Sequence, residues 1–277
     1  MSHQAIHLFG GFRVELNGRP LTNFGTDKTR ALLSYLALES DRPHRREALA
    51  NLFWCERPQV AALHSLRQAL YQLQNMLCFS SESEPYLIIT PNQVQFNPAS
   101  DHWIDVAEFL RRISACSSHH PAGVGLCNDC IKSLQTAVEL NRGELLEGFT
   151  LPDCEQFTDW QVINQECCHR QMMLALSLLA NDYEANLEYD RLLACALRMV
   201  ELEPWHELSH RRLMWVMAEV GQRERALRQY EILRKILQRE LKITPLPETV
   251  QLYEQIRNNH LPSYAIQGWG EKVASQL

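Results

Sequence analysis

The chain has no excess of positive charge. Its 27 Lys and Arg face 33 Asp and Glu, a net charge of −6. Such a balance excludes the broad basic footprint of tight nonspecific nucleic-acid binding. No apolar run approaches the length of a membrane span, so no membrane partner is expected. The first residues, Met1-Ser-His-Gln-Ala-Ile-His7, lack a basic segment leading into an apolar one, and no secretory leader is expected. There is no G-x-x-x-x-G-K-[ST], no H-E-x-x-H and no G-x-S-x-G, and the acidic residues sit on ordinary helical patterns. The expectation is a protein that is not an enzyme. Nine cysteines, an odd number with several inside helical patterns, do not form a secreted disulfide framework. A reducing cytoplasm fits them.

What is present is an ordinary globular composition, 45% hydrophobic and 22% charged, over 277 residues, enough for two domains. Charge is unevenly placed: residues 1–100 hold nine Arg and Lys against eight Asp and Glu, and the acidic excess lies in the rest.

The most informative stretch is Gln59–Leu77. Leu63, Leu66, Leu70, Leu73 and Leu77 recur at spacings of three and four and form one apolar stripe of a helix. The opposite face carries His64, Gln68, Tyr71 and Asn75, flanked by Arg67, Gln72 and Gln74. These are mostly uncharged hydrogen-bonding groups, as a helix that reads base edges would offer. The competing reading is a solvated amphipathic face.

The flanking chain favours the first. Ile6–Phe9 and Phe12–Leu16 alternate as strands, with an Asn17-Gly18 hairpin turn. Thr26-Asp27 caps a helix over Lys28–Leu38. After Pro43, a second helix is predicted from about His44 to Trp54, with Phe53 and Trp54 in the core. Beyond the leucine helix, Pro85–Thr90 and Gln93–Phe96 read as strands joined at Pro91-Asn92.

Leu8-Phe-Gly-Gly-Phe-Arg-Val-Glu-Leu-Asn-Gly18, Lys28-Thr-Arg-Ala-Leu-Leu33, Pro43-His-Arg-Arg-Glu-Ala-Leu49, Leu52-Phe-Trp54 and Leu66-Arg-Gln-Ala-Leu70 resemble, in order and spacing, the start of SARP-like transcriptional regulators. In that family an OmpR-type winged-helix domain precedes a helical bacterial transcriptional activator domain. The resemblance spans about residues 6–257 and implies that Gln59–Leu77 is the recognition helix and Tyr86–Phe96 the wing. The expected partner is double-stranded DNA. Gln68 and Gln72 are candidates for bidentate pairing with adenine, and Arg67 for guanine or phosphate. His64 and Tyr71 share the face, although Tyr71 can equally pack on the preceding helix. Arg45 and Arg46 are candidates for phosphate contact, or else solvated surface charges. Asn92 and Gln93 stand at the wing tip.

A second cluster follows. Cys116-x2-His119, with His120 beside it, and Cys127-x2-Cys130 have metal-ligand spacing, and neutral imidazole with thiolate suits Zn²⁺. Cys116, His119, Cys127 and Cys130 are the expected ligands, with His120 as the substitute for His119. Four protein ligands make such a site structural rather than catalytic. The alternative is a set of unpaired thiols with incidental histidines.

From Ile131 the chain reads as helical. Arg142–Phe149 resembles the family segment that opens the activator domain, and Phe157–Trp160 leads into a long helix through about Asp182. Leu192, Ala196 and Pro204 fall at tetratricopeptide positions, and a shift of 34 residues reaches Ala226 and Tyr230. The second unit has no matching proline, so its helix is expected to run on through Glu240–Pro245. Pro247–Ile256 is a final helix.

The expected fold is mainly α, an N-terminal α+β winged helix-turn-helix domain followed by an all-α tetratricopeptide-like domain. The expected boundaries are a winged-helix domain at 1–104, connecting helices with the Cys/His loop at 105–142, the activator domain at 143–257, and a tail or linker at 258–277. The function expected is sequence-specific transcriptional regulation, with activation expected, in which the helical domain serves dimerisation or contact with RNA polymerase. The alternative is an interaction or signalling module that keeps the fold but binds DNA weakly or not at all. On either reading the chain stands alone or forms the N-terminal part of a larger ATPase regulator.

Overall fold

The computed structural model describes residues 3–77, 84–119 and 125–260. They form two compact units. One comprises the described residues up to 112 with 139–168, and the other the described residues of 113–138 with 169–260. The segment from residue 139 to 168 groups with the N-terminal part. No helix among the described residues is long and apolar enough to cross a membrane.

The first unit begins with strands β1 (Gln4–His7), β2 (Arg13–Leu16) and β3 (Arg19–Leu21), paired antiparallel in sequence order. Asn17 and Gly18 both take positive φ, 52° and 73°, which gives the two-residue turn whose twist matches the strands it joins. A strand that the alternation did not reveal, β7 (His102–Ile104), pairs parallel with β1 and completes the order β3-β2-β1-β7. Its three residues are too few to show a period.

Helix α1 (Asp27–Leu38) starts where expected, with the Thr26 hydroxyl accepting from the backbone N–H of Thr29. The second helix differs from its predicted start. His44 and Arg45 form β4, hydrogen-bonded to Gln93 and Val94, and α2 begins only at Arg46 and runs to Phe53. Pairing across the fold overrode local helical preference there. Helix α3 (Gln59–Leu77) follows, then β5 (Leu87–Ile89) and β6 (Gln93–Phe96), which with β4 make a three-stranded wing in the order β4-β6-β5. Leu32, Leu33, Leu36, Leu49, Phe53, Leu66, Leu73, Val94 and Phe96 are buried and form the core between the three helices and the wing.

Asp105, at the start of α4 (Asp105–His119), ties this unit together. Its buried carboxylate accepts the backbone N–H of Leu8 at 2.9 Å and of Phe9 at 3.1 Å, and that of Val106 at 2.8 Å. Burial raises its pKa, and the three amide donors oppose the shift. The Arg142–Phe149 segment docks on the same corner. Gly10 N–H donates to Glu144 O, Leu146 N–H donates to Leu8 O, and Phe9 bridges Leu145. A Cβ at Gly143 would press on the Glu147 carboxylate and sit only 3.0 Å from Gly10 Cα, so glycine eases this close backbone approach. At the start of α6 (Glu155–Ala185), Phe157 and Trp160 stack at 5.3 Å, Trp160 meets Tyr35 at 5.1 Å, and its indole N–H donates to Glu39.

The second unit includes α5 (Asn128–Leu140), α7 (Tyr189–Leu202), α8 (Glu207–Glu219), α9 (Arg223–Ile236) and α10 (Pro247–Arg257). Leu192 and Ala196 on α7, and Ala226 and Tyr230 on α9, are buried. Helix α9 runs into a π-turn over Leu237–Leu241 and stops at Lys242, whose φ is 60°. The helix therefore ends before Ile243–Pro245, short of the expected stop, because the left-handed residue closes it.

Helix α10 is held at both ends. The Glu207 carboxylate accepts from Leu246 N–H and from the Thr249 hydroxyl, at 2.9 and 2.6 Å, while the Arg223 guanidinium donates to the carbonyls of Ile256 and Arg257. An anion at the N-terminus and a cation at the C-terminus both complement the helix dipole. His210 is fully buried. Its Nε2 lies 2.9 Å from Pro204 O and its Nδ1 2.9 Å from Gln229 Nε2, an arrangement that suits neutral imidazole donating from Nε2. Arg212 and Glu184 form a buried pair at 3.5 Å, and Arg212 also donates to Asn181.

Two outcomes follow for stability. Replacing Asp105 with Ala strands buried amides and is expected to cost about 2–5 kcal/mol in chemical unfolding; a loss below about 0.5 kcal/mol would contradict the clamp. Burial lowers the His210 pKa from 6.5 to about 4. A base with a depressed folded pKa gives stability that is present above pH 6.5 and is lost as pH falls toward 4. Wild type should lose on the order of 3 kcal/mol across that window relative to His210→Gln. Parallel pH profiles for the two proteins would refute this.

Candidate nucleic-acid interface and metal cluster

The leucine stripe sets the rotation of α3. Leu66, Leu70, Leu73 and Leu77 are buried and Leu63 is half-buried. His64, Arg67, Gln68, Tyr71, Gln74 and Asn75 are exposed as a consequence. Tyr71 is 66% exposed, so most of its ring stands on the outward face. Gln72 departs from the expectation. It is half-buried, and its amide lies against Gly25, which has a φ of 70° and no room for a side chain. Gln72 is thus turned partly inward, toward the connection before α1. Val60, 83% exposed at the first turn, joins that face and was missed by a reading centred on hydrogen-bonding groups. Its signal was positional: residues 60, 64, 67 and 71 recur at four, three and four.

The wing brings further candidates to this helix. Arg45, Arg46, Arg67, Asn92 and Gln93 line one open cleft of about 480 Å³, together with Glu47, Leu63 and Pro91. Backbone pairing explains the convergence. Arg45 on β4 registers with Gln93 on β6, and Arg46 N–H donates to Asn92 O at 3.0 Å. The Arg46 guanidinium spends one of its five donors on Thr90 O, at 3.3 Å. Arg46 is thus partly a strut of the wing, whereas Arg45 and Arg67 are exposed. The Thr90 hydroxyl and the backbone of Gln93 close the hairpin. Three guanidinium groups around one carboxylate, Glu47, give the cleft a net positive lining on a chain that is acidic as a whole.

The second unit holds a separate cluster. Cys116 and His119 lie one turn apart on the end of α4, and Cys127 and Cys130 lie one turn apart at the start of α5. His119 Nδ1 is 3.8 Å from Cys127 Sγ and 3.6 Å from Cys130 Sγ. The ligand atoms of these three residues all fall within 4.8 Å of one another. The buried Cys116 thiol donates to Cys130 O at 3.6 Å. The Cys130 backbone N–H lowers the Cys127 pKa, whereas burial and the adjoining thiols of Cys116 and Cys127 push Cys130 up to about 12. His120, the alternative ligand, and positions 261–277 of the expected tail lie outside the described residues.

The family model for the bacterial transcriptional activator domain matches residues 104–257. The chain belongs to this family. It is a SARP-like transcriptional regulator, a class distinct from enzymes. The matched span takes in the helices expected as connectors at 105–142 as well as the later helices. Among solved structures, this regulator is similar to EmbR of Mycobacterium tuberculosis in a complex with a low-affinity phosphopeptide. That match has a TM-score of 0.73 at 20% identity and covers 99% of this chain and 70% of the other. At that identity the likeness establishes the fold. No curated protein matches the sequence.

The packing assigns distinct roles on α3 and around it. Alanine at His64, Gln68 or Tyr71 is expected to change folding stability by less than about 0.5 kcal/mol. Gly25→Ala, which forces a strained φ and displaces Gln72, should cost about 1–3 kcal/mol. Thermal or chemical unfolding of the four variants checks this, and equal stability for Gly25→Ala would contradict the requirement for glycine at that left-handed position.

Proposed function

We propose that the first unit binds double-stranded DNA in a sequence-specific way, with α3 in the major groove and the β5–β6 hairpin over the adjacent backbone. The observation that carries this reading is the convergence of Arg45, Arg46, Arg67, Asn92 and Gln93 on one cleft beside the exposed polar face of α3. A helix of ordinary diameter fits the major groove, and its outward side chains then meet base edges. Gln68 pairs with adenine through its amide, Arg67 takes guanine or phosphate, and His64 and Tyr71 border them. Val60 offers an apolar contact for a thymine methyl. Arg45 and the free donors of Arg46 neutralise phosphate and set the register, and Asn92 and Gln93 touch the backbone beyond. Gln72 is left out of this set because it is engaged with Gly25. The helical unit would serve activation, through contact with RNA polymerase or with a second copy of the chain.

Few cationic groups surround the cleft, so binding should be modest and its salt dependence shallow. Selection from a pool of genomic duplexes, followed by titration at several salt concentrations, tests the proposal. One sequence class should be enriched. Arg67→Ala with Gln68→Ala should weaken its binding by about 1–3 kcal/mol per lost base contact and relax the preference. Arg45→Ala should weaken all duplexes alike and lower the salt slope by about one. If no duplex is enriched and the double variant behaves as wild type, α3 faces a protein partner instead.

A further inference from the structure

The Cys/His cluster lies outside the proposed DNA interface, and its geometry matches a particular kind of ligand. Cys116 and His119 stand at positions i and i+3 on the last turns of α4, so they share a face. Cys127 and Cys130 stand at i and i+3 across the start of α5, where Cys127 O accepts the N–H of Ile131. Two short-bite pairs on two helices therefore confront each other. Two ligands on one tetrahedral zinc, with bonds of about 2.3 Å to sulfur and 2.0–2.1 Å to nitrogen, are separated by about 3.6 Å. The observed separations from His119 Nδ1 are 3.8 Å to Cys127 Sγ and 3.6 Å to Cys130 Sγ. Hydrophobic packing alone has no reason to bring one imidazole nitrogen onto two thiols at that spacing.

We propose that Cys116, His119, Cys127 and Cys130 bind one structural Zn²⁺ that joins the end of α4 to the start of α5. His119 binds through Nδ1, and the three cysteines bind as thiolates, each releasing its proton to solvent on coordination. Cys116 stands outside the three-residue group, its thiol 3.6 Å from Cys130 O on the buried side of the cluster, and completes the set as the Cys-x2-His partner of His119. Four protein ligands leave no open coordination position, so the ion holds the fold and activates no water. Its effect is to tie the last turn of α4 to the first turn of α5.

The test uses the full chain purified under reducing conditions without chelator. Elemental analysis for zinc and iron should find about one zinc per chain and negligible iron. Replacement by Co²⁺ should give the intense thiolate charge-transfer absorption and the visible bands of a tetrahedral site. Cys127→Ser with Cys130→Ser should abolish both signals, and Cys116→Ser should weaken the charge-transfer band. Cys55→Ser, an exposed thiol in the other unit, should change neither. The Co²⁺ spectrum of the wild-type chain reads the ligand set even if a cysteine variant fails to fold. Zinc below about half an equivalent, iron in its place, or retention of metal by the double serine variant would overturn the site. So would a metal-free chain in which two of these cysteines are joined as a disulfide. A Co²⁺ spectrum altered by His120→Ala but not by Cys116→Ser would overturn the assignment of the fourth ligand.

Discussion

Burial of the leucine stripe of α3 is the constraint on which the candidate interface depends. Leu66, Leu70, Leu73 and Leu77 lie against the core between α1, α2 and the wing. Each buried leucine is worth about 1.5–3 kcal/mol, so turning the helix by one residue would forfeit several times the energy of any polar contact on its other side. The rotation of α3 is therefore fixed by apolar packing, and the outward residues are those left over. His64, Arg67, Gln68 and Tyr71 point outward for this reason. The same rotation places Gln72 at the margin, where the absent side chain of Gly25 makes room for its amide.

Around this core, buried polar groups set the geometry of chain segments that lack a long apolar pattern. The Asp105 carboxylate gathers the amides of Leu8 and Phe9, and the Arg142–Phe149 segment adds its own bonds to the Leu8–Gly10 corner. In the helical unit, Glu207 and Arg223 fix the two ends of α10, and His210 joins the α7–α8 connection to α9. Asp105, Glu207 and His210 are buried and would be costly to leave unpaired, and each has partners, so they select one arrangement rather than supplying most of the stability; Arg223 acts from the exposed surface. The buried Arg212–Glu184 pair fits the same description: desolvation raises the Glu184 pKa and the neighbouring guanidinium opposes it.

Most elements were legible because their periods were strong. The leucine spacing located α3 to its end residues, the Thr26 cap located the start of α1, and Asn17-Gly18 located the first hairpin. What escaped was decided by partners distant in sequence. His44 and Arg45 carry a helical pattern but pair with Val94 and Gln93 across the wing. Strand β7 exists because β1 offers an edge to it. Arg46, a candidate for phosphate contact or a solvated surface charge, also holds Thr90, a contact that nothing in its neighbouring residues announces.

The sequence by itself determined the family, the order of strands and helices, and which face of α3 is polar, since these follow from local spacing and from motifs in a fixed order. It also picked out the four Cys and His positions through their two short intervals. Only the tertiary structure decided which polar residues are available. It set the Gln72 amide against Gly25, left Tyr71 exposed, and gathered Arg45, Arg67 and the wing tip around one cleft. It likewise brought His119 within reach of both Cys127 and Cys130. The physical reason is the same in each case. Periodicity fixes the direction of a side chain relative to its own helix or strand, whereas its partners depend on how separate segments share the space left by the packed core.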